Sequence, residues 1–198
     1  LMLPVLGPAS TVSIVIVNFN GATILEPCLA SVFGQPYRPI EVIVVDNASS
    51  DDSVAIVRRR FPQVHLIIND VNHGFALANN EGVAKAQGDY VVLLNNDTLV
   101  ERDWLTGLLE TVRRPGVGVV TSKVLTDGVP PAYYEMNGTI NYLGYNIMRE
   151  FRALSEVFFA GGASVIFSRQ AVGVPFLPEY FLYQEDVFLS WRLRAQGM

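Results

Sequence analysis

Apolar residues run without alternation through Val42–Val45 and Tyr90–Leu94. Such runs predict strands buried on both faces. Val12–Val17 is equally β-prone, and Val64–Ile68 and Val117–Val120 are shorter runs of the same kind. Between them the pattern turns helical. Ala22–Phe33 carries Ile24, Leu25, Cys28, Leu29, Val32 and Phe33 on one predicted face, with Pro27 expected in the first turn, where proline is tolerated. Asp51 or Asp52 is placed to cap a helix running through Phe61. Gly74–Lys85 reads as a helix of unusually small residues, and Trp104–Val112 as an amphipathic one.

The first 120 or so residues therefore alternate strand and helix, which demands a mostly parallel sheet with helices on both faces. The expected fold class is α/β. The rhythm then breaks. Asp127–Arg152 is rich in Gly, Pro, Asn and Tyr and predicts a long irregular segment or small hairpins. Val157–Ser168 is strand-like around Gly161 and Gly162. A last helix starts near Glu185 and carries Val187, Leu189, Trp191 and Leu193.

Two buried strands run straight into polar ends that a core strand has no use for. One ends at Asp46-Asn47, the other at Asn95-Asn96-Asp97. Ligands of open α/β sheets bind outside the carboxyl ends of the strands, so the chemistry belongs there. Asp46 can accept a hydrogen bond from a ligand N–H. Ser50, Asp51 and Asp52 read as loop and cap. Asn95-Asn96-Asp97-Thr98 is either a cation site, with Asp97 as its carboxylate, or an Asx-type turn. Asn79 and Asn80 are poor helix formers inside a helical pattern. Glu185-Asp186 is either a favourable helix N-terminal charge or a general base, two neighbouring acids raising each other's pKa.

Composition narrows the classes. Half of the 198 residues are hydrophobic and the net charge is −5. That fits one domain with a full core and argues against nucleic-acid binding. Arg58-Arg59-Arg60 sits where it complements a helix C-terminus. The single cysteine, Cys28, lies at helical spacing among apolar residues and reads as a core thiol. No apolar run reaches the ~20 residues of a membrane span. His65 and His73 have no ligand partner at metal spacing, and no G-x-G-x-x-G, P-loop lysine or nucleophile elbow occurs. Residues 1–10 are expected to be a leader or expression remnant, and the chain's two ends suggest a piece cut from something longer.

Taken together, these stretches resemble the family 2 glycosyltransferases of the GT-A fold, most closely the rhamnosyltransferase-like branch. The likeness covers Ser13 to Gly197. It rests on Val15-Ile16-Val17-Asn18-Phe19-Asn20-Gly21, Asp46-Asn47-Ala48-Ser49-Ser50-Asp51, Asn72-His73-Gly74-Phe75-Ala76 with Asn79-Asn80, Leu94-Asn95-Asn96-Asp97-Thr98, Gly161-Gly162-Ala163, and Glu185-Asp186-Val187 with Trp191-Arg192. Each motif alone is weak; their order along one chain is specific.

The resemblance implies a single GT-A (Rossmann-like) domain over residues 11–198. Its nucleotide-binding half would span about 11–120 and its acceptor and catalytic half about 121–198. Asn18, Asn20, Asp46, Asn47, Gly74, Phe75, Asn79, Asn95 and Asn96 would serve the nucleotide. Asp97 would hold a divalent metal, Mg²⁺ or Mn²⁺. Gly161, Gly162 and Trp191 would lie on the acceptor side. Asp186 would be the catalytic base, beside Glu185.

The implied reaction is inverting transfer of a sugar from a UDP- or dTDP-linked donor, rhamnose among the candidates, to a hydroxyl of a saccharide or lipid-linked acceptor. It implies a cytoplasmic protein, compatible with peripheral association at the inner membrane face and with a homodimer. Two departures stand out. Phe188 replaces a second acid that many relatives carry. The family's usual later histidine and acceptor elements would lie beyond Met198. A non-catalytic nucleotide-sugar-binding or scaffold domain is the alternative. A sugar nucleotidyltransferase ranks lower, because the first turn has no basic residue.

Overall fold

The computed structural model describes residues 10–128, 138–140, 146–148 and 154–198. The unalternating runs fold as adjacent parallel strands: β1 (Val12–Asn18), β2 (Ile40–Asp46), β3 (His65–Ile68) and β4 (Tyr90–Asn95). They lie side by side in the order β3-β2-β1-β4. The helices between them are α1 (Ala22–Phe33), α2 (Ser53–Arg60) and α3 (Gly74–Lys85). After β4 come α4 (Trp104–Val112) and β5 (Val119–Thr121).

Alternation along β1 splits the core in two. Ile14 and Ile16 pack with α1, Val57 of α2 and α4 on one side. Val15 faces α3 on the other. There Gly82 lets the helix lie directly on the sheet, since a Cβ at that position would stand 2.3 Å from Val15 Cγ1. The small residues of α3 are thus a packing device.

The far side of the sheet departs from the simple rhythm. A late strand, β8 (Ser164–Ser168), enters between β4 and β5 and runs antiparallel to both. It is nearly all buried, and the short, half-exposed β5 becomes the edge. Extended pairing starts only after the glycine pair, not at Val157 as expected. Of the irregular 127–152 segment, β6 (Gly138–Ile140) and β7 (Asn146–Met148) pair antiparallel. Most of its remaining residues lie outside the described ones. A short α5 (Arg169–Val172) follows β8, and α6 (Glu185–Ala195) closes the described chain. No helix among the described residues is long and apolar enough to cross a membrane.

Helix α1 departs from the sequence reading at Pro27 and Ile24, and α2 decides between Asp51 and Asp52. Pro27 sits inside α1, beyond its first turn. The helix starts at Ala22 as expected, and Asp51 Oδ2, from another loop, accepts the Ala22 N–H at 2.8 Å. Burial of Leu25, Cys28, Leu29 and Val32 then outweighs the lost backbone bond. Ile24, expected on that core face, is 41% exposed. At α2, Asp52 is the N-cap residue but makes no side-chain cap bond. The Asp51 carboxylate instead accepts the Ser53 N–H at 3.0 Å.

Candidate active site

In-register parallel pairing brings three strand ends to one line. Asn18 stands beside Asp46, and Val17 beside Asn95. β1 therefore separates the two acidic-amide ends, and its last residue joins them. Asn18 Nδ2 donates to Asp46 Oδ2 at 3.0 Å and to Ser49 Oγ at 3.2 Å. Asn18 Oδ1 accepts from Asn96 Nδ2 at 2.9 Å. Asp46 Oδ1 accepts the Ser49 N–H at 2.9 Å. Asn18 and Asp46 are consequently buried. Asn20, at φ 51°, laces the first turn to the second by accepting the Ser50 N–H at 2.8 Å.

Asn47 organises the next loop in the same way. Its Oδ1 accepts the His73 N–H at 3.0 Å, and its Nδ2 donates to Asn72 Oδ1 at 2.7 Å and to Gly74 O at 3.2 Å. Behind it, Glu81 takes His73 Nδ1 and Asn69 Nδ2, each at 2.7 Å. These bonds fix the entry of α3, where Gly74 adopts φ +79°. Within α3, Asn79 turns its amide back to Phe75 O. Asn80 clasps the buried Phe176 through both its N–H and its carbonyl. Both asparagines thus have structural partners, and neither lines the cleft over the strand ends.

An open cleft of about 250 Å³ lies over the strand ends. Asn47 lines the β2 end, with Gly74 and Phe75 beside it, and Val17 and Phe19 lie at the β1 end between. Asn95, Asn96 and Asp97 line the β4 end. Phe181 and Leu182 form a wall that sequence reasoning missed. Its signal was an apolar, aromatic stretch immediately before an acidic helix start. The wall is pinned by the Phe75 N–H to Phe181 O at 2.7 Å, and it leaves no room for a Cβ on Gly74.

The oxygen donors at the Asn95 end fit a hard cation. Asp97 is exposed, and the buried Asn95 Oδ1 has no hydrogen-bond partner among the described residues. No three His, Cys, Asp or Glu side chains converge among the described residues, so a cation here would need oxygens from its ligand. Cys28 lies behind this end, its Sγ 3.7 Å from Asn95 O, and burial pushes its thiol up to about 12. It is an inert core group.

Glu185 and Asp186 reach this edge through the glycine segment. The Asn95 N–H donates to Ala163 O at 2.9 Å, and the Gly162 N–H donates to Asp186 Oδ2 at 3.0 Å. Asp186 Oδ1 accepts from its neighbour Val187 at 2.7 Å. Gly161 O takes the Thr121 hydroxyl, which ties the segment to β5. Burial is the main cause that raises both acids. It lifts Glu185 to about 7, with the Asp186 charge a lesser contributor, so mutual repulsion is not the leading cause the sequence suggested. For Asp186, burial outweighs the N–H bonds from Val187 and Gly162. Neither acid lines the cleft itself. Trp191 is half-exposed and stands edge-on to Phe158 at 6.3 Å, also outside the cleft.

Comparison with known proteins agrees with this architecture. The family model for glycosyl transferase family 2 matches residues 13–174. An uncharacterised glycosyltransferase of Haemophilus influenzae is 34% identical over 97 residues, covering 48% of this chain and 39% of that protein. The poly-β-1,6-N-acetyl-D-glucosamine synthase of Staphylococcus aureus is 26% identical over 184 residues, covering 90% of this chain and 44% of the synthase. The chain thus spans less than half the length of these curated relatives. Among solved structures, the mannosyltransferase PcManGT of Pyrobaculum calidifontis, in complex with GDP-Man and Mn²⁺, superposes with a TM-score of 0.70 at 23% identity, covering 94% of this chain and 52% of that one. S. aureus TarS 1-349 gives 0.63 at 19% identity, covering 92% and 55%. These two likenesses show the fold. With a family model matched over most of its length, the chain belongs to glycosyl transferase family 2.

Proposed function

We propose that this chain carries the donor site and base of an inverting glycosyltransferase acting on a nucleoside-diphosphate sugar. The observation that carries the reading is the linkage of Asn95 and Asp186 through Gly162-Ala163, which sets a carboxylate of raised pKa beside the end of β4. The base would lie at the Phe19–Asn47 end of the cleft, over the buried Asp46, and the diphosphate at the Asn95–Asp97 end. A divalent cation held by Asp97 and the free Asn95 amide oxygen would neutralise charge on the diphosphate. Asp186 takes the proton of an acceptor hydroxyl. That oxygen forms its bond to the anomeric carbon as the bond to the diphosphate breaks, and the leaving electron pair stays on the diphosphate. Attack from the face opposite the leaving group inverts the centre.

The named ligands of relatives support this class: GDP-Man and Mn²⁺ for PcManGT, and UDP for TarS. The acceptor class proposed is a saccharide or lipid-linked hydroxyl. The deciding experiment is a melting panel of UDP-, GDP- and dTDP-sugars, dTDP-rhamnose included, with and without Mn²⁺. One donor should raise the midpoint in a Mn²⁺-dependent way. Asp97→Ala should abolish that dependence. Asp186→Asn should keep donor binding while release of the nucleoside diphosphate falls at least ~100-fold. Binding without any donor turnover by the parent chain would instead favour a non-catalytic domain.

A further inference from the structure

The Asn18 side chain makes three hydrogen bonds beside the cleft. It is fully buried, yet it is not itself a lining group. Its amide nitrogen serves the β2 end through Asp46 and Ser49, and its amide oxygen serves the β4 end through Asn96. Sequence resemblance alone would make it a nucleotide contact. Its bonds instead point inward.

We infer that Asn18 is a positioning residue that sets the spacing between the two ends of the donor cleft and does not touch the nucleotide. The inference rests on the nucleoside-diphosphate reading above. Its physical basis is bivalency. A nucleoside diphosphate must engage a base end and a diphosphate end at once, and such a ligand gains affinity only when the two ends are held at the right separation. A nucleoside alone uses one end and is insensitive to that separation.

Gly21 provides a selective way to break the bridge. A Cβ there would lie 2.3 Å from Asn18 Oδ1 and 2.6 Å from Asn96 Nδ2, directly at their hydrogen bond. Gly21 has φ −107°, so alanine suits its backbone. Gly21→Ala therefore wedges the two amides apart while deleting neither.

The test uses the chain with UDP, GDP and dTDP, taking whichever raises the melting midpoint in Mn²⁺, and the matching nucleoside, uridine, guanosine or thymidine. Dissociation constants are measured calorimetrically for the diphosphate and by ligand-observed NMR for the nucleoside. Mn²⁺ affinity without nucleotide is followed by electron paramagnetic resonance. Gly21→Ala should weaken the diphosphate by about tenfold or more, while nucleoside and Mn²⁺ affinities change less than about twofold. If the nucleoside loses as much as the diphosphate, the bridge shapes the base contact itself and the inference fails. An unchanged diphosphate affinity also overturns it. Where Gly21→Ala does not fold, Asn18→Ala is measured the same way under the same criteria. If none of the three diphosphates binds the parent chain, the donor-site reading fails first, and this inference falls with it.

Discussion

Glu185 shows how burial turns an ordinary residue into a sensor of its surroundings. It is 5% exposed, and its Oε2 has no partner among the described residues. In the unfolded chain it ionises near 4.5, whereas burial lifts it to about 7 in the folded protein. Between those values the folded state holds one more proton, so raising the pH favours unfolding. The stabilising contribution of the neutral acid is complete below about 4.5 and gone above about 7. Glu185→Gln removes the titration while keeping size and neutrality. The variant's midpoint minus the parent's should therefore climb from about pH 4.5 to about pH 7 and level off above it. A difference that stays flat across that range refutes the shifted carboxyl. The residue types at the site were legible from sequence: amides and acids at strand ends are out of place in a core. Their partners were not. Asn18 and Asp46 look alike as ligands or as bridge members until the register of β1 and β2 is known.

At the scale of elements, local pattern located β1 to β4 and their helices well, because burial on both faces and helical periodicity are written into consecutive residues. What escaped was non-local. The insertion of β8 depends on strands far from it in the chain, and the Ala22 N–H that opens α1 finds its acceptor on Asp51 of another loop. The same distinction governs two helical glycines. In α4, a Cβ on Gly107 meets nothing within 4 Å. Gly107→Ala should therefore stabilise by about 0.5–1 kcal/mol, the helix preference of alanine. In α3, a Cβ on Gly82 strikes Val15 in the middle of the sheet. Gly82→Ala should destabilise by about 1–3 kcal/mol through overpacking, despite the better propensity. Urea denaturation of both variants checks the pair. Like signs for the two substitutions would mean that α3 does not lie on β1 as closely as described.

Across the whole molecule, the question is how the early elements, β1 to β4 with α1 to α3, are fastened to the later stretch that carries Glu185 and Asp186. Beside the β4–β8–β5 ladders and the shared core, three hydrogen-bonded contacts among the described residues bear on this. Gly162 and Ala163 tie β4 to α6, Phe181 O ties the cleft wall to α3, and Asn80 holds Phe176. The last is made by one side chain. Asn80 Nδ2 donates to Phe176 O at 2.8 Å, and the Phe176 N–H donates to Asn80 Oδ1 at 3.1 Å. Phe176 is buried, so removing the amide strands two backbone groups in apolar surroundings. Asn80→Ala should cost about 2–4 kcal/mol, one to two for each group left unpaired. The position of the loss is more telling than its size. Amide exchange should accelerate around Phe176 and in α6 while β1, β2 and β4 keep their protection, since none of their ladder bonds is touched. If exchange rises evenly over the whole sheet, the two parts unfold as one unit and Asn80 is only one core contact among many. If it rises locally, the stretch bearing Glu185 and Asp186 is a separable layer, and a single amide on α3 sets how firmly it is held.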